Sequence, residues 1–329
     1  DKINNAAQHL LGIINDILDL SKIEAGKLQV DAIDFSLDVL IQGIADMVRE
    51  RVASKGLELI VDTDHLPASL RGDGNRLGQI LLNYLGNAIK FTETGRILLR
   101  CRIVDSKTDP LRIRFEVNDT GIGLTPAQQR NLFETFEQAE VSTTRQYGGT
   151  GLGLAISKRL ALLMGGQVGC ESEIGKGSTF WVELPLERGE MSDRPPLGRE
   201  LTAGKRVLVV DDLEEARLPL VDMLSSLGFQ ADELASGAEA LDYLIEADQC
   251  GRPVDLALID WKMPDMDGFS TARRISELPL QRPPSMVLVS SGSLDQNQES
   301  LAESGFLAFL AKPVTASALY DGLVGIFQP

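Results

Sequence analysis

From Arg206 to the C-terminus, strand-like and amphipathic helical segments alternate five times, and this alternation restricts the fold more than any other feature of the chain. The strand-like runs are 206–210, 229–234, 255–259, 285–290 and 306–310. Each is short and apolar, and each leads into a segment with apolar residues at helical spacing. Repeated strand–helix units build a parallel sheet whose right-handed crossovers place helices on both faces. Ligands of such sheets bind beyond the carboxyl ends of the strands. Asp211 and Asp212 follow the first strand, Asp260 ends the third, Ser290 ends the fourth and Lys312 lies just past the fifth. Three carboxylates brought together repel unless a cation bridges them, and oxygen-only donors with room for water suit Mg²⁺. Lys312 adds a mobile positive charge and Ser290 a hydroxyl donor, a set suited to a phosphoryl group carried by one of the carboxylates. The competing explanation, unrelated polar residues at loop ends, requires a coincidence at every position.

Upstream, residues 30–186 mix helical periodicity (37–53, 76–90, 151–164) with strand-like runs (57–62, 96–103, 111–118, 167–173, 178–184). Their irregular order predicts an α+β sandwich, one mixed sheet covered by helices. A helix over 76–90 places Asn83, Asn87 and Lys90 on one face and Leu77, Leu81, Tyr84 and Ala88 on another. A solvated polar face has the same spacing, so the pattern gains meaning only from the acidic and glycine-rich segments downstream of it. The strand Phe115–Asn118 ends at Asp119-Thr120-Gly121-Ile122-Gly123, and Gly148-Gly149-Thr150-Gly151-Leu152-Gly153 leads directly into a helix. Glycines let backbone N–H groups approach phosphate oxygens, and a helix N-terminus favours anions. A P-loop is excluded, because Gly175-Lys176 has Cys170 in place of the required glycine and Gly177 in place of Ser or Thr. A dinucleotide fingerprint is excluded by Ile156. The polar, glycine-rich stretch 121–153 is expected to be a long functional loop around one short helix.

Residues 1–29 read as one helix that Gly26 ends, with Ile3, Ala7, Leu10, Ile14 and Ile17, and Leu11 and Leu18 beside them, forming a wide apolar stripe. A lone helix of this kind is marginal in water, so the stripe is expected to pack against a partner chain or a preceding helix. Residues 187–205, with paired prolines and many charges, read as a linker. Lys and Arg number 32 against 48 Asp and Glu, a net charge of −16 that argues against nucleic-acid backbone binding. No run reaches the ~18 apolar residues of a membrane span, and no secretory leader is visible. The expectation is a cytoplasmic location for this portion, with membrane anchoring of a full-length protein left open. Cys101, Cys170 and Cys250 form no CxxC pair and read as reduced thiols.

The motifs VLVVDD (207–212), LIDWKMPDMDG (258–268), VLVSS (287–291) and LAKPV (310–314) resemble the receiver domain of two-component signalling. The resemblance implies a flavodoxin-like (βα)5 domain over 206–329 with Asp260 as phospho-acceptor. It makes Asp211 and Asp212 metal carboxylates and the Lys262 carbonyl a further metal ligand. Ser290 and Lys312 would contact the phosphoryl group, and Phe309 would be the aromatic switch residue, in place of the more usual Tyr.

The runs RLGQILLNYLGNAIKFTETG (76–95), NDTGIGL (118–124), LFETFEQAE (132–140) and YGGTGLGLAISKRLALLMGG (147–166) are similar to the ATP-binding domain shared by histidine kinases, DNA gyrase, Hsp90 and MutL proteins. The specific match is to histidine kinases. It implies an α/β-sandwich over 30–186 in which Asn87 holds Mg²⁺, with Asn83 and Lys90 near the phosphates. Asp119 would hydrogen-bond the adenine amino group and Phe91 would pack near the base. Gly121, Gly123, Gly149, Gly151 and Gly153 would shape the lid, where Arg145 either reaches the γ-phosphate or is solvated.

Residues 8–28 resemble the second helix of the kinase dimerisation hairpin. The first helix would carry the phospho-accepting histidine, and neither His9 nor His65, the two histidines present, sits in such a motif. The expected protein is the core of a hybrid sensor histidine kinase, dimeric through the hairpin. ATP would phosphorylate a histidine absent from this chain, and the group would pass to Asp260. A histidine-phosphotransfer protein or response regulator would act downstream, with a sensor region, membrane-linked or not, elsewhere. The alternative is a signalling scaffold or inactive kinase that works by docking. An ATPase-driven clamp would need a transducer domain after Leu186, where a receiver stands instead.

Overall fold

The computed structural model describes residues 25–63, 66–134, 152–190, 204–291 and 304–327, together with 14, 18, 21–23 and 202. Compact packing divides the chain into two units, Asp1–Glu58 with His65–Asp193 and Leu59–Asp64 with Arg194–Pro329.

A seven-stranded sheet runs in the order β1 (Ile33–Ser36), β3 (Ser69–Gly72), β7 (Gly177–Arg188), β5 (Leu111–Asp119), β4 (Arg96–Asp105), β2 (Glu58–Asp62), and β6 (Gln167–Glu173) also pairs β7. Period-two alternation explains its long central pairs. Leu111, Ile113, Phe115 and Val117 of β5 are buried and lie opposite Leu186, Leu184, Val182 and Phe180 of β7. The other row is polar and knit both within β5 and across to β7. Arg114 Nε lies 2.6 Å from Glu116 Oε1, and the Arg114 guanidinium lies 4.2 Å from the Trp181 ring.

Among the described residues, this sheet is accompanied by α1 (Leu37–Ser54), α2 (Gly74–Phe91) and, beyond the short α3 (Pro126–Asn131), α4 (Gly153–Leu163). Helix α2 packs on β5 and touches both α1 and α4. It starts earlier than the apolar periodicity predicts because Asp73 caps it, its Oδ1 accepting from the Arg76 N–H at 3.0 Å. Its far end is closed by Lys55, whose Nζ donates to the carbonyls of Ile89 (2.6 Å), Lys90 (3.2 Å) and Thr92 (3.1 Å). Helix α3 is the short helix expected within 121–153, opened by a Thr125/Gln128 capping box.

The second sheet is five-stranded and parallel, in the order β12 (Phe306–Ala311), β11 (Ser285–Ser290), β10 (Leu256–Asp260), β8 (Arg206–Val210), β9 (Gln230–Leu234). Alternate residues of each strand enter different cores. Val207 and Val209 join Leu220 and Leu224 of α5 (Glu214–Ser226) and Leu319 and Leu323 of α8 (Ala316–Phe327). Leu208 and Val210 join Ala240 and Leu244 of α6 (Gly237–Gln249) and Ala272 and Ile275 of α7 (Gly268–Glu277). Burial on both faces is why these strands read as continuous apolar runs. The helix expected after the fourth strand falls on residues 292–303, outside the described residues.

In the opening segment, Ile14, Leu18 and 21–23 are helical and Gly26 adopts φ 64°, the left-handed turn expected where a helix stops. Ile14 and Leu18 are 44% and 50% exposed. No helix of the described residues is long and apolar enough to cross a membrane. His9, His65, Arg145, Gly149, Gly151 and most of the linker 187–205 lie outside the described residues.

Candidate functional site

At the second sheet, the strand order reverses between β8 and β10, the switch point at which sheets of this kind form a crevice beyond the carboxyl ends of their strands. Asp211 follows β8 and Asp260 ends β10, so both carboxylates stand at this crevice. Lys312, just past β12, places its Nζ 2.6 Å from Asp211 Oδ2 and 2.6 Å from Asp260 Oδ1. The three side chains are 9%, 3% and 7% exposed respectively. Residues from three strands, far apart in the chain, thus share one charge cluster. Asp260 Oδ2 accepts from the Lys262 backbone N–H at 2.7 Å, and Asp211 Oδ1 from that of Leu213 at 2.9 Å. Asp212 is half-buried, and burial pushes its carboxyl above the usual carboxylate range; neighbouring Asp211 pushes the same way, while Lys312 and Arg217 oppose it.

Ser290 is buried at the end of β11, and its carbonyl accepts from the Lys312 N–H at 2.8 Å. Phe309 is half-buried on β12, against the core that holds Leu288 and Phe306. Lys262 is exposed. One participant escaped the sequence reading. Arg217 of α5 donates from NH1 to the Asp211 carbonyl at 2.7 Å and from Nε to Glu233 Oε2 at 3.1 Å. No motif marks an arginine in the first turn of this helix, and its partner on β9 is set by packing. The donor set fits a hard divalent cation: the carboxylates supply only oxygen, and their charge exceeds that of the single ammonium among them.

In the first unit, α2 presents Asn83, Asn87 and Lys90 on its half-buried side. Lys90 Nζ lies 4.7 Å from the centre of the Phe91 ring, and partial burial lowers the pKa of its ammonium. Asn83 Nδ2 lies 2.9 Å from Ser157 Oγ of α4. Gly153 opens α4 against Asn83, and a Cβ there would overlap the Asn83 amide oxygen.

Asp119 continues the apolar row of β5, so its carboxylate points where Val117 and Phe115 point, into the interior. Burial pushes this carboxyl up, while the N–H groups of Gly121 and Ser178 oppose the shift. The Gly121 N–H donates to Asp119 Oδ1 at 2.8 Å. A carboxylate has further lone pairs, so Asp119 retains capacity to accept from an amino group. Gly123 has φ 68°, and a Cβ there would overlap the Glu173 carbonyl. Cys170, Ser172 and Ser178 share this end of the sheet, none of them assigned to this site by the sequence. Burial, and after it the charges of Asp119 and Glu171, pushes the Cys170 thiol up to about 12. Ser172 Oγ lies 3.0 Å from Ser178 Oγ and accepts from the Leu124 N–H at 2.8 Å. Strand pairing brings these residues together, and pairing is not written in local periodicity. An interior carboxylate beside glycine-bordered loops fits a base carrying an amino group, and the Asn83–Asn87–Lys90 face fits its phosphates.

Residues 72–188 match the family of histidine kinase-, DNA gyrase B- and HSP90-like ATPases, and residues 207–323 match the response regulator receiver domain. The sensory/regulatory protein RpfC of Xanthomonas campestris pv. campestris is 35% identical across 98% of this chain and 48% of its own length. The sensor histidine kinase GacS of Pseudomonas protegens is 41% identical across 84% of this chain and 30% of its own. The crystal structure of full-length ShkA in complex with AMPPNP superposes with a TM-score of 0.73 at 30% identity, covering 99% of this chain and 64% of that one. The chain thus spans about half, or less, of the length of these curated relatives.

Proposed function

Since the chain belongs to the hybrid histidine kinases, with a kinase-type ATPase domain followed by a receiver domain, we propose that it binds Mg·ATP in the first domain and that Asp260 of the second accepts a phosphoryl group from a phosphohistidine. The domains in this reading are 30–186 and 206–329, joined by the linker 187–205. The γ-phosphoryl group of ATP goes to a histidine, as in the kinase class. An Asp260 carboxylate oxygen then forms a bond to phosphorus as the phosphorus–nitrogen bond breaks and the imidazole departs. Chemistry of this kind needs positioning and charge stabilisation more than covalent help.

The chain's own groups suit those needs. Lys312 holds Asp260 and Asp211 in place and carries a charge that can pair with a phosphoryl oxygen. The Lys262 N–H fixes the second oxygen of Asp260. Ser290 supplies a hydroxyl at the neighbouring strand end, and a pull on Ser290 and Lys312 reaches Phe309 along β11 and β12. Divalent metal held by Asp211, Asp212, Asp260 and the Lys262 carbonyl supplies charge neutralisation when bound. In the first domain Asn87 would hold the nucleotide's metal, Asn83, Lys90 and Arg145 its phosphates, and Asp119 and Phe91 its base, with Gly121, Gly123, Gly149, Gly151 and Gly153 shaping the lid. The bare Ile14 and Leu18 are what a stripe covered by a second copy's helix leaves exposed, which supports a homodimer. A histidine-phosphotransfer protein or response regulator is the expected consumer of the phosphoryl group, in the cytoplasm where ATP is found.

The observation that carries the reading is the double pairing of Lys312 with Asp211 and Asp260. Its test is labelling with radioactive acetyl phosphate and Mg²⁺. Wild-type protein should take up acid-stable, base-labile label, and Asp260→Ala should take up none. Full labelling of the variant would remove Asp260 from the acceptor role.

A further inference from the structure

Ser157 lies one turn into α4 and is 2% exposed. Its hydroxyl has one proton to give. Oγ lies 3.0 Å from the Gly153 carbonyl oxygen, one helical turn back, and that oxygen can only accept. The same Oγ lies 2.9 Å from Asn83 Nδ2, across 74 residues of sequence. With its proton committed to Gly153, the hydroxyl meets Asn83 as an acceptor. Asn83 must therefore turn its NH₂ end toward Ser157, and its Oδ1 lies where a Cβ at Gly153 would collide with it. The relay Gly153–Ser157–Asn83 joins α2 to α4.

We propose that Ser157 is a positioning residue for nucleotide binding, acting through Asn83 by fixing which end of its amide meets Ser157 and which lies at Gly153, where α4 opens. The inference rests on the ATP-site reading above and adds a residue to it. A serine that merely satisfies its own hydroxyl against the preceding turn would bond Gly153 equally well, but it would exert no control over Asn83.

The test is a double-mutant cycle read by AMPPNP titration calorimetry in MgCl₂ on the full chain, with Ser157→Ala, Asn83→Ala and the double variant. Removing one hydrogen bond that orders a binding group should weaken AMPPNP about fivefold in Ser157→Ala. On the Asn83→Ala background the same change should have no further effect. An unchanged affinity in Ser157→Ala, or an equal loss on both backgrounds, overturns the inference while leaving the ATP site in place. Wild-type protein that binds no AMPPNP overturns both.

Discussion

Replacing Lys312 with Met keeps the length and most of the volume of the side chain and removes the ammonium that bridges Asp211 and Asp260. The carboxylate oxygens of those two residues lie within 4.8 Å of one another. At the effective dielectric of about 20 that suits protein sites, two like charges at that spacing repel by roughly 3 kcal/mol. Breaking a buried ion pair from one side costs about 3–5 kcal/mol, an independent figure for the same loss rather than an addition to it. A domain of this size loses roughly 4 °C of melting temperature per kcal/mol, so the receiver transition should fall by on the order of 10–15 °C in EDTA. Mg²⁺ should reverse much of this, because a cation at about 100 times its Kd returns about 2.7 kcal/mol and no ammonium now competes for its ligands. The assay is melting of the full chain followed by intrinsic tryptophan fluorescence, with EDTA and with MgCl₂, on a Trp181→Phe background in which Trp261 reports the receiver transition. A loss below about 1 kcal/mol in EDTA, or equal Mg²⁺ stabilisation of variant and wild type, would refute the account of Lys312 as the counter-charge of the cluster.

The first unit supplies three further expected outcomes. Asp119 has a folded-state pKa above its unfolded value, so the folded chain holds that proton more tightly. Relative to Asp119→Asn, wild-type protein should therefore lose stability as pH rises from the ordinary carboxylate range through the raised folded value, and the difference should be constant above it; melting across that window tests this, and a flat or opposite slope contradicts it. Gly123→Ala should cost roughly 1–2 kcal/mol for the left-handed backbone alone, with more from displacing the Glu173 carbonyl, and should weaken AMPPNP binding. Gly43→Ala in α1, where a Cβ meets nothing within 4 Å, should instead stabilise by about 0.5–1 kcal/mol. Equal melting of the two variants would count against the steric reading of Gly123.

Much of this architecture was legible in the sequence, and the reasons are local. Strands β8 and β11 have the bounds that their apolar runs predict, 206–210 and 285–290, because helices cover both faces of that sheet. Helix α1 differs from its predicted range by one residue, and α2 extends beyond its own by the turn that Asp73 caps. Strands β1 and β3, four residues each, went unread because they are too short to show a period and exist by pairing with one another. The candidate residues at the sheet ends were visible as residue types at strand termini. Arg217, Cys170, Ser172 and Ser157 were not, since each gains its place from a partner distant in the chain.

The sequence alone determined the longer elements, their order and the faces they bury, since hydrophobic spacing and caps act over a few residues. Only the tertiary structure decided that Lys312 bridges Asp211 and Asp260, that Asp119 lies inside an apolar row beside Ser178, and that Ser157 meets Asn83. Those contacts depend on strand order, register and helix packing, which many distant side chains settle jointly, so no short stretch of sequence encodes them.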